Sequence, residues 1–237
     1  MKTILIQAAM EKELVLFLDY FKDFEKQVIA GYDFYIGEFQ GLKLVISQTQ
    51  NGVMNATEST TIAMLTFSPD YVINEGTCGA HLQSLEVGDL IIGEDAVYIN
   101  KFKSPAKKKG EGSNSLEWIP AERGSFRIKA NEQLLEVAKK VCPASNVFFG
   151  TIGTGDLFSK EVDRIEFLRN TFGELCEEME TVAVYKVCES FGVPCLGIRI
   201  VSNNELVEGA GTLQENIEKI MPRVFDVVMK IVQELAK

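Results

Sequence analysis

Cys176-Glu177-Glu178-Met179-Glu180-Thr181 decides how this chain is read, together with the apolar run Cys195–Val201 that ends at Ser202-Asn203. Two glutamates flank a methionine where an apolar segment passes into an amphipathic helix carrying Val182, Val184, Tyr185, Val187 and Cys188. Acids at a helix N-terminus suit the positive end of its dipole, so capping accounts for part of the pattern. The same design recurs, however. Apolar runs also end abruptly at Met10-Glu11-Lys12-Glu13, Asn74-Glu75-Gly76-Thr77 and Gly153-Thr154-Gly155-Asp156. Ligands of open α/β sheets sit at the carboxyl ends of strands. Acids, hydroxyls and one arginine at such ends read as a site.

Outward from that stretch, buried-strand patterns alternate with helical ones. Strands are expected at Ile4–Ala9, Tyr71–Asn74, Leu90–Ile92 (with Ala96–Ile99 continuing it) and Val147–Ile152. Tyr32–Phe39 and Leu42–Gln48 flank Gln40-Gly41 as a hairpin. Helices are expected at Lys12–Phe21, Val53–Phe67, Asn131–Val141, Ser159–Asn170 and Leu213–Leu235, where Pro222 should kink or restart the last. Lys101–Arg123 carries no clear period. With neither internal repeat nor linker, residues 1–237 read as one α/β domain with a mostly parallel sheet.

Composition narrows the partners. The chain has 237 residues, 46% of them hydrophobic, and a formal charge of −10, which argues against sequence-independent binding to nucleic acid. The basic cluster Lys101–Lys109 reads as a solvated loop. Five cysteines without CxxC spacing fit reduced thiols in a cytoplasmic protein rather than a disulfide framework. His81 is the single histidine, read as a loop residue after a strand, so no His-rich metal cluster forms and no metal or cofactor is expected. No apolar run suits a signal peptide or a membrane span.

The glycines at Gly52, Gly76, Gly79, Gly153 and Gly155 match neither a dinucleotide fingerprint nor a phosphate loop. Their order along the chain resembles the purine/uridine nucleoside phosphorylase superfamily, and most of all its methylthioadenosine/S-adenosylhomocysteine nucleosidases. The resemblance spans nearly the full length. It runs through Ala9–Glu13, Gly52–Ala56, Ile73–Gly79, Val87–Asp89, Gly155–Phe158, Glu178-Met179-Glu180 and Arg199–Ser202.

That likeness implies a three-layer α/β/α sandwich, usually a homodimer, that cleaves the N-glycosidic bond of a purine nucleoside with water. By position, it implies that Glu13 polarises the water, helped by Arg199 and Thr77. Glu180 would hold the ribose hydroxyls and Met179 pack on the sugar, with Glu178 beside them. Phe158 would stack on the base, whose edge the Ser159 backbone reads; Cys78 and Gly79 would line the pocket. Met10 and Asn51 would border the 5′ substituent. In the dimer, the segment Phe102–Trp118 would cap the neighbour's pocket or Trp118 would be a local core residue.

One position departs from the family. After Ser202, where the adenine nucleosidases carry aspartate, stands Asn203, an amide with hydrogen-bond donors but no acidic proton. Family members acting on 6-oxopurines resemble this chain there, so a nucleosidase for inosine-like or futalosine-like compounds, or a silent nucleoside-binding protein, is the alternative. Glu205 is the nearby carboxylate that would replace the acid.

Overall fold

The computed structural model describes residues 1–120, 126–142, 145–157 and 159–237. The N-terminal third forms β1 (Thr3–Ala8), α1 (Glu11–Tyr20), β2 (Glu25–Ile29), β3 (Tyr32–Phe39), β4 (Leu42–Gln48) and α2 (Val53–Phe67). Then come β5 (Tyr71–Ala80), β6 (Leu90–Tyr98), the short pair β7 (Phe102–Lys103) and β8 (Ile119–Pro120), and β9 (Arg127–Lys129). The remainder supplies α3 (Glu132–Val141), β10 (Val147–Thr154), α4 (Val162–Phe172), β11 (Cys176–Glu178), α5 (Thr181–Phe191), β12 (Cys195–Asn204) and α6 (Leu213–Leu235).

One mixed sheet runs β11-β10-β6-β12-β5-β1-β4-β3-β2, with β9 on β6. Its middle ladders, β12-β5-β1-β4 and β6-β10-β11, are parallel. The β2-β3-β4 meander and the β6–β12 joint are antiparallel. β11 also pairs antiparallel with β5, so β5, β12, β6, β10 and β11 close a ring. That closure brings the carboxyl ends of β5, β12 and β11 to one mouth.

Helices α1, α3 and α6 pack together on the sheet, and α2 packs with α5. The stripe Ile217, Ile220, Val224, Val228, Ile231 and Leu235 of α6 is buried as its spacing predicts. Each such side chain contributes about 1.5–3 kcal/mol. The expected restart at Pro222 does not occur; α6 continues through it. Buried Met221 and Val224 on either side hold the helix to the core against the lost hydrogen bond.

Two expected segments change in extent, and one strand is new. β5 continues past Asn74 to Ala80 because it gains partners in β12 and β11. β2 went unforeseen, since its residues are largely exposed at the sheet edge. The irregular Lys101–Arg123 segment holds β7, β8 and a 3₁₀ turn, Ser115–Glu117, with residues 121–125 outside the described part. Trp118 stacks on Phe102 at 4.0 Å and meets Phe167 edge-on, a contact of the local-core kind.

Candidate active site

α1 begins directly after β1, which carries Glu13 into the ring mouth. Glu13 is buried, and its Oε2 accepts the Met10 N–H at 3.0 Å, half of a capping box. Its Oε1 accepts both the N–H and the Oγ1 hydroxyl of Thr77 at 2.8 Å. Burial raises the Glu13 pKa, while these donors and the nearby Arg199 charge pull it back.

Glu180, which lines the same cavity, is the N-cap residue of α5. Its Oε1 accepts the Gly52 N–H at 2.8 Å. Burial, then the Glu178 charge, pushes its pKa up to about 8 against the opposing pull of Arg199. Gly52 has φ +97, and a Cβ there would meet Asp156 Oδ1 at 2.9 Å, so only glycine brings this amide so close to Glu180. Asp156 itself accepts the Val53 N–H at 2.8 Å and caps α2 from the end of β10.

Glu178 takes the capping role foreseen for the acidic motif. It accepts the backbone N–H groups of Glu180 and Thr181 and the hydroxyl of Thr154. Arg199 completes its shell through Nε at 3.0 Å and Nη2 at 2.5 Å. The other Arg199 donors reach Asn74 and the carbonyl of Ile198, so all five are engaged within the protein. Arg199 therefore lies behind the cavity and acts on Glu13 and Glu180 by its charge, not by contact with a nucleophile.

The β12 register with β5 slips between Val201 and Asn203, leaving Ser202 as an extra residue. Such a bulge re-aims side chains, and here both Ser202 and Asn203 line the cavity. Ser202 Oγ lies 2.8 Å from Asn203 Oδ1 and 3.1 Å from the Cys78 carbonyl.

One cavity thus gathers Met10, Glu13, Asn51, Thr77, Cys78, Gly79, Glu178, Met179, Glu180, Ser202 and Asn203. Ser159 borders an adjoining hollow that shares Gly79, Glu177 and Asn203 with it. Phe158, expected to stack on the base, lies outside the described residues.

Four residues escaped notice as site residues. Ala9 and Leu213 line the cavity, and Glu177 lines both hollows. Glu75 is buried next in chain to the Gly76-Thr77 wall, with neither carboxyl oxygen hydrogen-bonded. Glu75 and Glu177 belong to the Asn74-Glu75-Gly76-Thr77 and Cys176–Thr181 stretches, where apolar runs break into polar residues at strand ends. His81 also differs from a plain loop histidine: it is buried, with Nδ1 2.9 Å from Glu174 and Nε2 3.3 Å from Glu177. These carboxylates raise its pKa although burial alone would lower it. Among the described residues, no cluster of His, Cys, Asp and Glu is arranged to hold a metal ion.

Residues 3–237 match the family described as the phosphorylase superfamily. A 5′-methylthioadenosine/S-adenosylhomocysteine nucleosidase of Geobacillus sp. (strain WCH70) is 34% identical over 238 residues, covering 99% of each chain. Among solved structures, a Helicobacter pylori aspartate-to-asparagine mutant with 5′-methylthioadenosine in its active site is 26% identical. It superposes with a TM-score of 0.85 and 99% of each chain covered. A futalosine hydrolase mutant of the same species superposes at 0.84 with 26% identity, covering 99% of this chain and 100% of that one. By sequence along almost all its length and by the path of its backbone, this chain belongs to the phosphorylase superfamily.

Proposed function

We propose that this protein is a nucleosidase that hydrolyses the N-glycosidic bond of 5′-methylthioadenosine and S-adenosylhomocysteine, releasing adenine. The observation that carries this reading is that two buried carboxylates, Glu13 and Glu180, line one cavity together with Asn203.

Cleavage of the bond builds oxocarbenium character on the sugar. Glu13, holding the attacking water, and Glu180, facing the ribose hydroxyls in its ionised form, place negative charge beside that developing positive charge. Met179 packs on the sugar, and Met10 and Asn51 border the 5′ end. Thr77 and Met10 donate to Glu13 and favour its ionised, water-orienting form. Asn203 donates to N7 of the departing base, held by Ser202. The Ser159 backbone reads the base edge.

Water is the nucleophile on electrostatic grounds. The Glu13 carboxylate repels a phosphate dianion, and no arginine or lysine is among the described residues lining the cavity. The test is to incubate the protein with methylthioadenosine, S-adenosylhomocysteine, inosine and futalosine and follow base release with and without phosphate. Adenine release that ignores phosphate is expected. Strict phosphate dependence, or hypoxanthine release alone, overturns the reading.

The likeness further supports one catalytic domain over residues 1–237 that works as a homodimer. Exposed Met54 and Leu65 on α2 offer apolar surface for pairing. Five free cysteines support a cytoplasmic home, and the products fit methionine salvage.

A further inference from the structure

The hollow that continues the cavity past Asn203 is bordered by Gly79, His81, Ser159, Glu177 and Glu205. With the sugar between Glu13 and Glu180, the base occupies this end. Asn203 Nδ2 donates to Glu205 Oε1 at 3.2 Å, and Lys160 Nζ lies 3.1 Å from the same oxygen.

Glu205 decides which way the Asn203 amide faces. Ser202 Oγ is satisfied with either end of the amide, because it can donate to Oδ1 or give its proton to the Cys78 carbonyl and accept from Nδ2. An ionised carboxylate only accepts, so it tolerates Nδ2 and repels Oδ1. One Nδ2 hydrogen goes to Glu205, and the second is left for the base. Gly79 keeps that side open, since a Cβ there would lie 3.2 Å from Nδ2.

The base therefore meets a donor, Asn203 Nδ2–H, next to an acceptor, the Glu205 carboxylate. The N7 edge of adenine is the complement: N7 accepts and the 6-amino group donates. A 6-oxopurine offers two acceptors, and its O6 would confront the carboxylate. Asn203 alone reads either base; the pair does not.

We propose that Glu205 is the base-specificity determinant, orienting Asn203 toward N7 and accepting from the 6-amino group, so that 6-aminopurine nucleosides are selected over 6-oxopurine ones. This rests on the nucleosidase reading and deepens it.

The test compares kcat/KM for 5′-methylthioadenosine and 5′-methylthioinosine in the wild type, Glu205→Gln and Glu205→Ala. Dissociation constants for free adenine and hypoxanthine are measured in parallel by calorimetry. The wild type should favour the 6-amino compounds. Glu205→Gln, which can turn its amide to meet O6, should lower that preference roughly 10–100-fold, the usual scale for a mispaired buried polar group. A preference unchanged within about twofold in both variants overturns the proposal, as does an equal loss on both substrates, which a merely structural role would give. If the wild type releases no base at all, the nucleosidase reading fails by itself, and the ratio of the two base affinities still judges Glu205. A wild type that binds neither base overturns both.

Discussion

Glu178 and Arg199 form a buried ion pair whose second task is to keep two other carboxylates usable. Arg199 meets Glu178 through Nε and Nη2, while its charge offsets part of the rise that burial imposes on the pKa values of Glu13 and Glu180. Removing one partner of such a pair strands a buried charge, at a cost of about 3–5 kcal/mol. Lysine has three donors where Arg199 uses five, so it is a poor substitute. Arg199→Lys should lower Tm by roughly 10 °C and reduce kcat/KM together with it. Thermal unfolding alongside steady-state assays checks this; a variant with wild-type Tm and activity would show the pair to be dispensable.

Glu180 should impose a pH dependence. Its pKa is pushed up to about 8, chiefly by burial, so below that pH the free protein holds it protonated. Ribose hydroxyls donate best to the ionised form, so kcat/KM should rise with pH and level off above about 8, changing about tenfold per unit on the limb. Glu180→Gln should lower kcat/KM and remove this limb. A limb that survives the substitution belongs to Glu13 instead.

Glu75 couples stability to pH in the opposite sense to a salt-bridged acid. Its pKa is raised well above 4.5 by burial first and then by the Glu13 charge. The folded protein thus holds this proton more tightly than the unfolded chain. Stability from this group is fully present below about pH 4.5 and declines as pH climbs toward the folded value, by about 1.4 kcal/mol per unit. Glu75→Gln keeps the shape and removes the titration. Its Tm should match the wild type near pH 4.5 and exceed it increasingly as the pH rises from there toward the raised folded value; a pH-independent difference would refute the coupling.

Much of this site was legible because strand-end chemistry is local. Glu13 follows β1, Thr77 lies in β5, and Glu178 to Thr181 close β11 and open α5, each announced by an apolar run breaking into polar residues. What the sequence concealed is who pairs with whom. Asp156 sits in a glycine-rich turn that reads as ligand-binding, yet it caps α2, more than a hundred residues away in the chain. Arg199 reads as a water-polarising group, but its donors are taken by Glu178 and Asn74 across the ring. The edge strand β2 leaves little periodic trace because it is barely buried. The bulge that turns both Ser202 and Asn203 inward depends on how β12 registers with β5, which neither strand encodes alone.

Asn203→Asp tests how the leaving base is handled. Asparagine donates a hydrogen bond to N7 but cannot release a proton to it, so departure of the base is the step it helps least. An aspartate at this position would stand about where Nδ2 now lies, 3.2 Å from Glu205 Oε1. Two carboxylates that close do not both ionise readily, and one pKa rises. The proton that this pair retains can then be passed to N7, where general-acid catalysis contributes roughly 10²–10⁴-fold when fully effective. Turnover of 5′-methylthioadenosine by Asn203→Asp should therefore rise by at least about tenfold near neutral pH. It should fall as pH climbs past the raised pKa, because the protonated form is the acid. The double variant Asn203→Asp, Glu205→Gln separates the terms: without its carboxylate neighbour, the new aspartate ionises at lower pH and the descending limb shifts down. A single variant no faster than the wild type, with the same pH profile, would show that proton delivery to the base does not limit this protein.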